Sequence, residues 1–181
     1  DLNFSYRLQQ LTSLRADPDC RVLKLTDPTL ADFPLIYMTH VEHIRLPDDQ
    51  LNILRNYLLN GGVLFVNDFW NSRSWRGFEA EMKRVLPQRH WTELTADHPV
   101  FHTVFDMQMP KQKLQVPNIR VGMESQYTGI TWEYHDGEEC REVHIRGIFD
   151  DKGRMIIIAC HNTDNGDGWE REGEDHYFFR T

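Results

Sequence analysis

The chain has 181 residues, 40% of them hydrophobic and 12% aromatic, enough to bury one core as a single domain over 1–181. Its 28 acidic and 20 basic residues leave a formal charge of −8. That argues against nucleic acid as the main partner, because binding phosphates needs clustered Lys and Arg. Three cysteines rule out a disulfide scaffold, and no apolar run approaches the roughly 18 residues of a membrane span.

In chain order, Asn3 or Ser5 caps a first helix running to about Leu14, with Tyr6, Leu8, Leu11 and Leu14 on its apolar face. Arg21–Leu25 alternates and reads as a strand, and Leu35–Met38 reads as a buried strand. Pro47, Asp48 and Asp49 open a helix with Leu51, Leu54, Leu58 and Leu59 as its core stripe; Asn60-Gly61-Gly62 ends it. Val63–Asn67 is an apolar strand, followed by a helix over Trp75–Leu86 that uses Phe78, Met82 and Val85. Residues 99–128 carry Pro99, Pro110, Pro117 and Gly122 and read as an irregular insertion. Arg146–Phe149 and Arg154–Cys160 flank the turn Asp150-Asp151-Lys152-Gly153 as a late β-hairpin, with Gly129–Tyr134 a candidate neighbour. The stretch from His161 to Glu170 reads as a polar loop, and Glu172–Thr181 has no core of its own. Strands alternating with helices give an α/β fold with a mostly parallel sheet and helices on both sides.

Ligands of such sheets sit beyond the C-terminal ends of the strands. Three ends supply candidates. Thr39, His40, Glu42 and His43 follow the first, Asn67, Asp68, Phe69, Trp70 and Asn71 the second, and His161, Asn162, Asp164, Asp167, Trp169 and Glu170 the third. If the loops converge, they form a cleft of carboxylates, imidazoles and indoles suited to a small polar ligand, a carbohydrate among them. Asp68, His161 and Glu170 are the candidates for chemistry, provided the Asp68 carboxylate turns toward the His161 ring. The competing readings are a helix cap for Asp68, a structural role for His161, and a solvated acidic loop around Asp164 and Asp167. Cys160 and His161 do not form a nucleophile pair, because neighbours on a strand face opposite ways. His40-x-x-His43 is a weak metal signal, and no motif calls for a metal or cofactor.

The segments NFSYRLQQLTSL (3–14), YLLNGGVLFVNDFW (57–70), HPVFHTVFD (98–106) and DDKGRMIIIACHNTDNGDGWEREGED (150–175) resemble the bacterial family catalogued as domain of unknown function 4159. That family resembles a branch of the class I glutamine amidotransferase-like folds related to ThuA-like proteins. The resemblance implies a flavodoxin-like three-layer α/β/α sandwich. It puts Asn67, Asp68 and Phe69 at the elbow where amidotransferases hold a nucleophilic Cys, so glutamine hydrolysis is not expected. It also places Cys160-His161 where ThuA-like proteins carry a Gly-His pair. It further implies a periplasmic or exported location, with the cytoplasm as the alternative suggested by the odd cysteine count. Membrane-associated envelope proteins are implied partners, as are an earlier strand before this chain and an apolar helix after it. Three functions follow as expectations: a domain that binds a small polar ligand, a hydrolase (metal-assisted or not) using Asp68 and His161, and an interaction domain of an envelope complex. A homodimer is expected if a bare sheet edge is left to pair.

Overall fold

The computed structural model describes residues 2–108 and 114–171. Its frame is a five-stranded sheet in the order β1-β2-β5-β4-β3. The strands are β1 (Leu35–Thr39), β2 (Val63–Asn67), β3 (Thr92–Glu93), β4 (His144–Phe149) and β5 (Met155–His161). β1, β2 and β5 pair in parallel, while β4 is antiparallel to both β5 and β3. Four strands therefore run one way and β4 runs the other. The register Thr39↔Asn67 brings the C-terminal ends of β1 and β2 level.

One face of the sheet carries the helices α2 (Asp48–Leu59) and α3 (Asn71–Val85). Leu51, Leu54 and Leu58 of α2 and Phe78, Met82 and Val85 of α3 pack on Leu64, Val66, Ile157 and Ala159. Leu59 completes the sequence pattern but is exposed. Gly61 has φ +123° just past α2, a conformation glycine adopts without strain. On the other face Phe65, Ile158 and Cys160 pack with Leu94, Phe101 and Val143. There Trp169 of α5 (Asn165–Glu170) rests on Tyr37 and Phe65, and Phe4 of α1 (Leu2–Leu11) rests on Trp169. The result is helix–sheet–helix layering, and β4–β5 is the expected hairpin across Asp150–Gly153.

Several expectations change. Arg21–Leu25 is not a strand: Val22 is fully exposed, and among the described residues no strand pairs with this segment. Helix α1 stops at Leu11, and Tyr6, Leu11 and Leu14 are exposed rather than core. The stretch 99–128 is not wholly irregular. It contains α4 (Ile119–Thr128), started by the Asn118 side chain accepting from the Val121 amide and ended by Gly129 at φ +71°. Gly129–Tyr134 pairs with no strand. The polar stretch after His161 folds into α5. Glu172–Thr181 lies outside the described residues.

Helix α3 meets the turn 41–43 at Gly77. A Cβ there would stand 2.9 Å from the Glu42 carbonyl oxygen. Gly77→Ala is expected to push α3 off that turn and cost about 1–3 kcal/mol, read as a lower urea midpoint at unchanged slope.

Candidate functional site

The loops after β1, β2 and β5 are joined backbone to backbone. The His40 amide donates to the Asp68 carbonyl at 3.1 Å, the Asp68 amide to Thr163 at 3.2 Å, and the Asn162 amide to Phe69 at 3.1 Å. Among the described residues the non-glycine positive φ angles are His40 (+53°), Asp68 (+56°), Asn71 (+67°) and Asn162 (+61°). Three lie in these loops, and Asn71 is the first residue of α3. Such conformations persist where the surroundings over-determine them, and they concentrate at functional sites.

Asp68 is fixed from two sides. Its Oδ2 lies 3.0 Å from His40 Nδ1, and its Oδ1 accepts from the Trp70 indole N–H at 3.1 Å. It does not cap the following helix. The Asn71 side-chain oxygen does so, accepting from the amides of Arg73 and Ser74.

Beneath the rim, the fully buried Asn67 organises the third loop. Its Nδ2 donates to Asp164 Oδ1 and to the Tyr37 hydroxyl, each at 3.1 Å. Its Oδ1 accepts from the Asn165 amide at 2.9 Å. Asp164 Oδ1 also accepts from the Asp167 amide at 3.0 Å, which starts α5. Burial, with Asp68 and Asp167 adding like charge, pushes the Asp164 carboxyl up to about 6. The Asp167 carboxyl is also raised, mainly by burial, although Arg171 bonds it. A fourth carboxylate comes from outside the three loops. Glu133 accepts from the Asn118 backbone and side-chain nitrogens, both at 2.6 Å, and burial raises its pKa.

These groups line a cavity of about 880 Å³. His40, His43, Asp68, Trp70, Asp164 and Asp167 are the sequence candidates on its wall. Glu42 from the first strand end joins them, and Glu133 and Asp136, together with Arg45, Arg73 and Arg171, complete the charged lining without having been candidates. Arg171 could have been found, since it follows Asp167 by four residues, the spacing of a helical ion pair. Glu133 and Asp136 sit between short turns and leave no periodic signal.

The other candidates have different work. Asn67 lies under the floor. Asn162 donates to the Glu139 and Glu142 carbonyls and accepts from the Asn71 amide, so it is a loop brace. Trp169 is packed between Phe4 and Phe65. Glu170 is exposed at the end of α5 and outside the cavity lining.

His161 does not meet Asp68. Its Nε2 bonds the Asn71 carbonyl at 3.0 Å, and its Nδ1 faces the Arg146 guanidinium at 3.4 Å. Phe69, Trp75 and His144 surround the ring at centroid distances of 5.0–5.7 Å. Burial first, then the charges of Arg146 and His144, lower its pKa to about 4. Cys160 points to the other face, where burial raises its thiol to about 12, as strand alternation requires. Among the described residues no group of three or more His, Cys, Asp or Glu is arranged to hold a metal ion.

Asp164 and His161 act oppositely on stability across the same pH window. The native Asp164 pKa lies above its model value of 3.8. Between about pH 4 and 6 the native state therefore holds the extra proton, and stability from this group falls as pH rises. The native His161 pKa lies below 6.5. There the unfolded state holds the extra proton, so stability rises with pH over roughly pH 4–6.5. Each effect is on the order of 3 kcal/mol across its window. Urea unfolding at several pH values is expected to show Asp164→Asn gaining stability with pH more steeply than the parent. His161→Gln should gain less or lose stability over the same range.

With the fold and cavity in view, the chain can be placed. It belongs to the family named Domain of unknown function (DUF4159), whose family model matches residues 1–180. No curated protein matches it.

Proposed function

We propose that this domain binds a small, hydroxyl-rich, neutral or cationic ligand, carbohydrates being the leading class, in the cavity at the ends of β1, β2 and β5. The supporting observation is the chemistry of one wall. Six carboxylates, from Glu42, Asp68, Glu133, Asp136, Asp164 and Asp167, outnumber three guanidinium groups, and Arg171 is already bonded to Asp167. Carboxylates accept from hydroxyl and ammonium groups and repel phosphates. The Trp70 indole adds an aromatic surface of the kind that packs on sugar C–H groups. The volume falls in the range of small-molecule pockets.

The layering supports a flavodoxin-like reading, as does β2 leading through a strained Asp68 into α3. Within the amidotransferase-like and ThuA-like relationship, Asp68 then occupies the elbow. A carboxylate held by His40 and Trp70 is not a thiolate nucleophile, and glutaminase activity is not expected. The same relationship makes an envelope location and envelope partners part of the proposal.

The test is a thermal-shift and tryptophan-fluorescence titration with neutral sugars, amino sugars, polyols and sugar phosphates. Neutral or amino sugars are expected to raise the melting temperature, as any ligand selective for the native state does. They should also change an emission component that is absent in Trp70→Phe. Binding confined to sugar phosphates, or silence across the panel, would overturn the proposal.

A further inference from the structure

We infer that His40 is a general base, positioned by Asp68, that activates water against an ester bond of the ligand. This rests on the binding proposal above and adds a reaction to it.

The geometry is specific. His40 stands at the end of β1 in the left-handed conformation, and its amide is held by the Asp68 carbonyl. Its ring Nδ1 lies 3.0 Å from Asp68 Oδ2. With Trp70 bonded to Oδ1, the carboxylate is held at both oxygens. In the neutral ring the contact selects the tautomer in which Nδ1 donates to Asp68 and Nε2 carries the lone pair. The His40 side chain is 70% exposed and lies on the cavity wall, so Nε2 is open to water and ligand. A carboxylate that fixes an imidazole through Nδ1 is the arrangement that selects the tautomer of a base and steadies the imidazolium it becomes. Asp68 is the positioning residue. His161, with its ring nitrogens engaged at Asn71 and Arg146, is not available for this role.

The step balances with water alone. His40 Nε2 takes a proton from water as the water oxygen bonds to the acyl carbon. The tetrahedral adduct breaks its bond to the alcohol oxygen, and that oxygen takes the proton back from Nε2. Ester and water become acid and alcohol, with the imidazole restored. The carboxylate-rich wall selects a substrate that carries hydroxyls and no phosphate. An O-acylated sugar or polyol is the class that fits.

A clamp between two loops would show the same bond, so the variants must separate the two roles. His40→Asn tolerates positive φ and carries an amide N–H able to reach Asp68, but it has no basic nitrogen. Acetate release from 6-O-acetylglucose and 3-O-acetylxylose, which keep their other hydroxyls free, would be followed in the intact chain, and glucose and xylose binding measured in parallel. The wild type is expected to release acetate well above buffer. His40→Asn should lose at least about 100-fold in kcat while still binding the parent sugars. Asp68→Asn should lower kcat with KM within about twofold, and His90→Gln, at an exposed histidine elsewhere, should change nothing. His40→Gln, with its unfolding midpoint measured, guards against a folding artefact. Unchanged release in His40→Asn, or sugar binding without release, overturns the base and leaves the binding site standing. Absence of both binding and release overturns both readings.

Discussion

Asn67→Ala is expected to cost about 2–4 kcal/mol of unfolding free energy and to abolish ligand binding at the rim. Asn67 is fully buried at the end of β2. It joins β1 through the Tyr37 hydroxyl to the third loop through Asp164 and the Asn165 amide. Alanine would leave the Asn165 amide without its acceptor. It would take one of two donors from the Asp164 carboxyl, which keeps the Asp167 amide, and release the Tyr37 hydroxyl toward solvent. An unsatisfied buried group costs about 1–3 kcal/mol, and the lost side-chain bonds add to it. The Asp164 loop would then lose its anchor to the strand that carries Asp68. Urea unfolding reads the stability loss, and the fluorescence titration reads the site. An unchanged urea midpoint would show that the third loop is held by something other than this side chain.

Glu81→Ala should cost about 2–4 kcal/mol, with Glu81→Gln keeping more than half of that. Glu81 is 2% exposed on α3. Its Oε1 accepts from the Leu46 amide and from Arg84, both at 2.7 Å, and Arg45 stands 3.8 Å from Oε2. It is thus the acceptor that ties the segment entering α2 to α3. Arg84 and Arg45 are partly exposed and regain water when the carboxylate goes. The Leu46 amide does not, and it dominates the cost. Glutamine retains an acceptor for that amide, so the gap between the two variants, measured by denaturation, isolates the hydrogen bond from the ion pairs.

What the residues revealed in advance was local. β1, α2, β2, the body of α3 and the β4–β5 hairpin each carry their own signal, in a leucine stripe, an apolar strand or a D-D-K-G turn. Arg21–Leu25 shows the limit, because alternation makes a strand only where a partner strand stands beside it. Helix α4 was masked by nearby Pro117 and internal Gly122, although Asn118 and Gly129 bracket it as caps. Helix α5 was masked by glycines and acids that look like a loop until Asp164 is seen as its start.

The site divides in the same way. The three loops that follow the strand ends do meet at one cavity, and residues named from each of them line it. The His40–Asp68 contact was not legible, because it depends on the register of β1 against β2, which no local pattern fixes. The misplacement of His161 was avoidable. Strand parity puts it on the face of Ala159, under α3, and the rule that separated it from Cys160 also turned it toward Trp75 and Phe69.

Asp68 engages His40 rather than His161, and that contact carries the proposed base. The direct measurement is nitrogen-15 NMR of the histidine side chains, comparing the parent chain with Asp68→Asn at near-neutral pH. The prediction is a His40 ring protonated at Nδ1, whose nitrogen shifts move when Asp68 is changed, beside a neutral His161 whose shifts do not. A His161 ring that responds to Asp68→Asn while His40 stays still would contradict it.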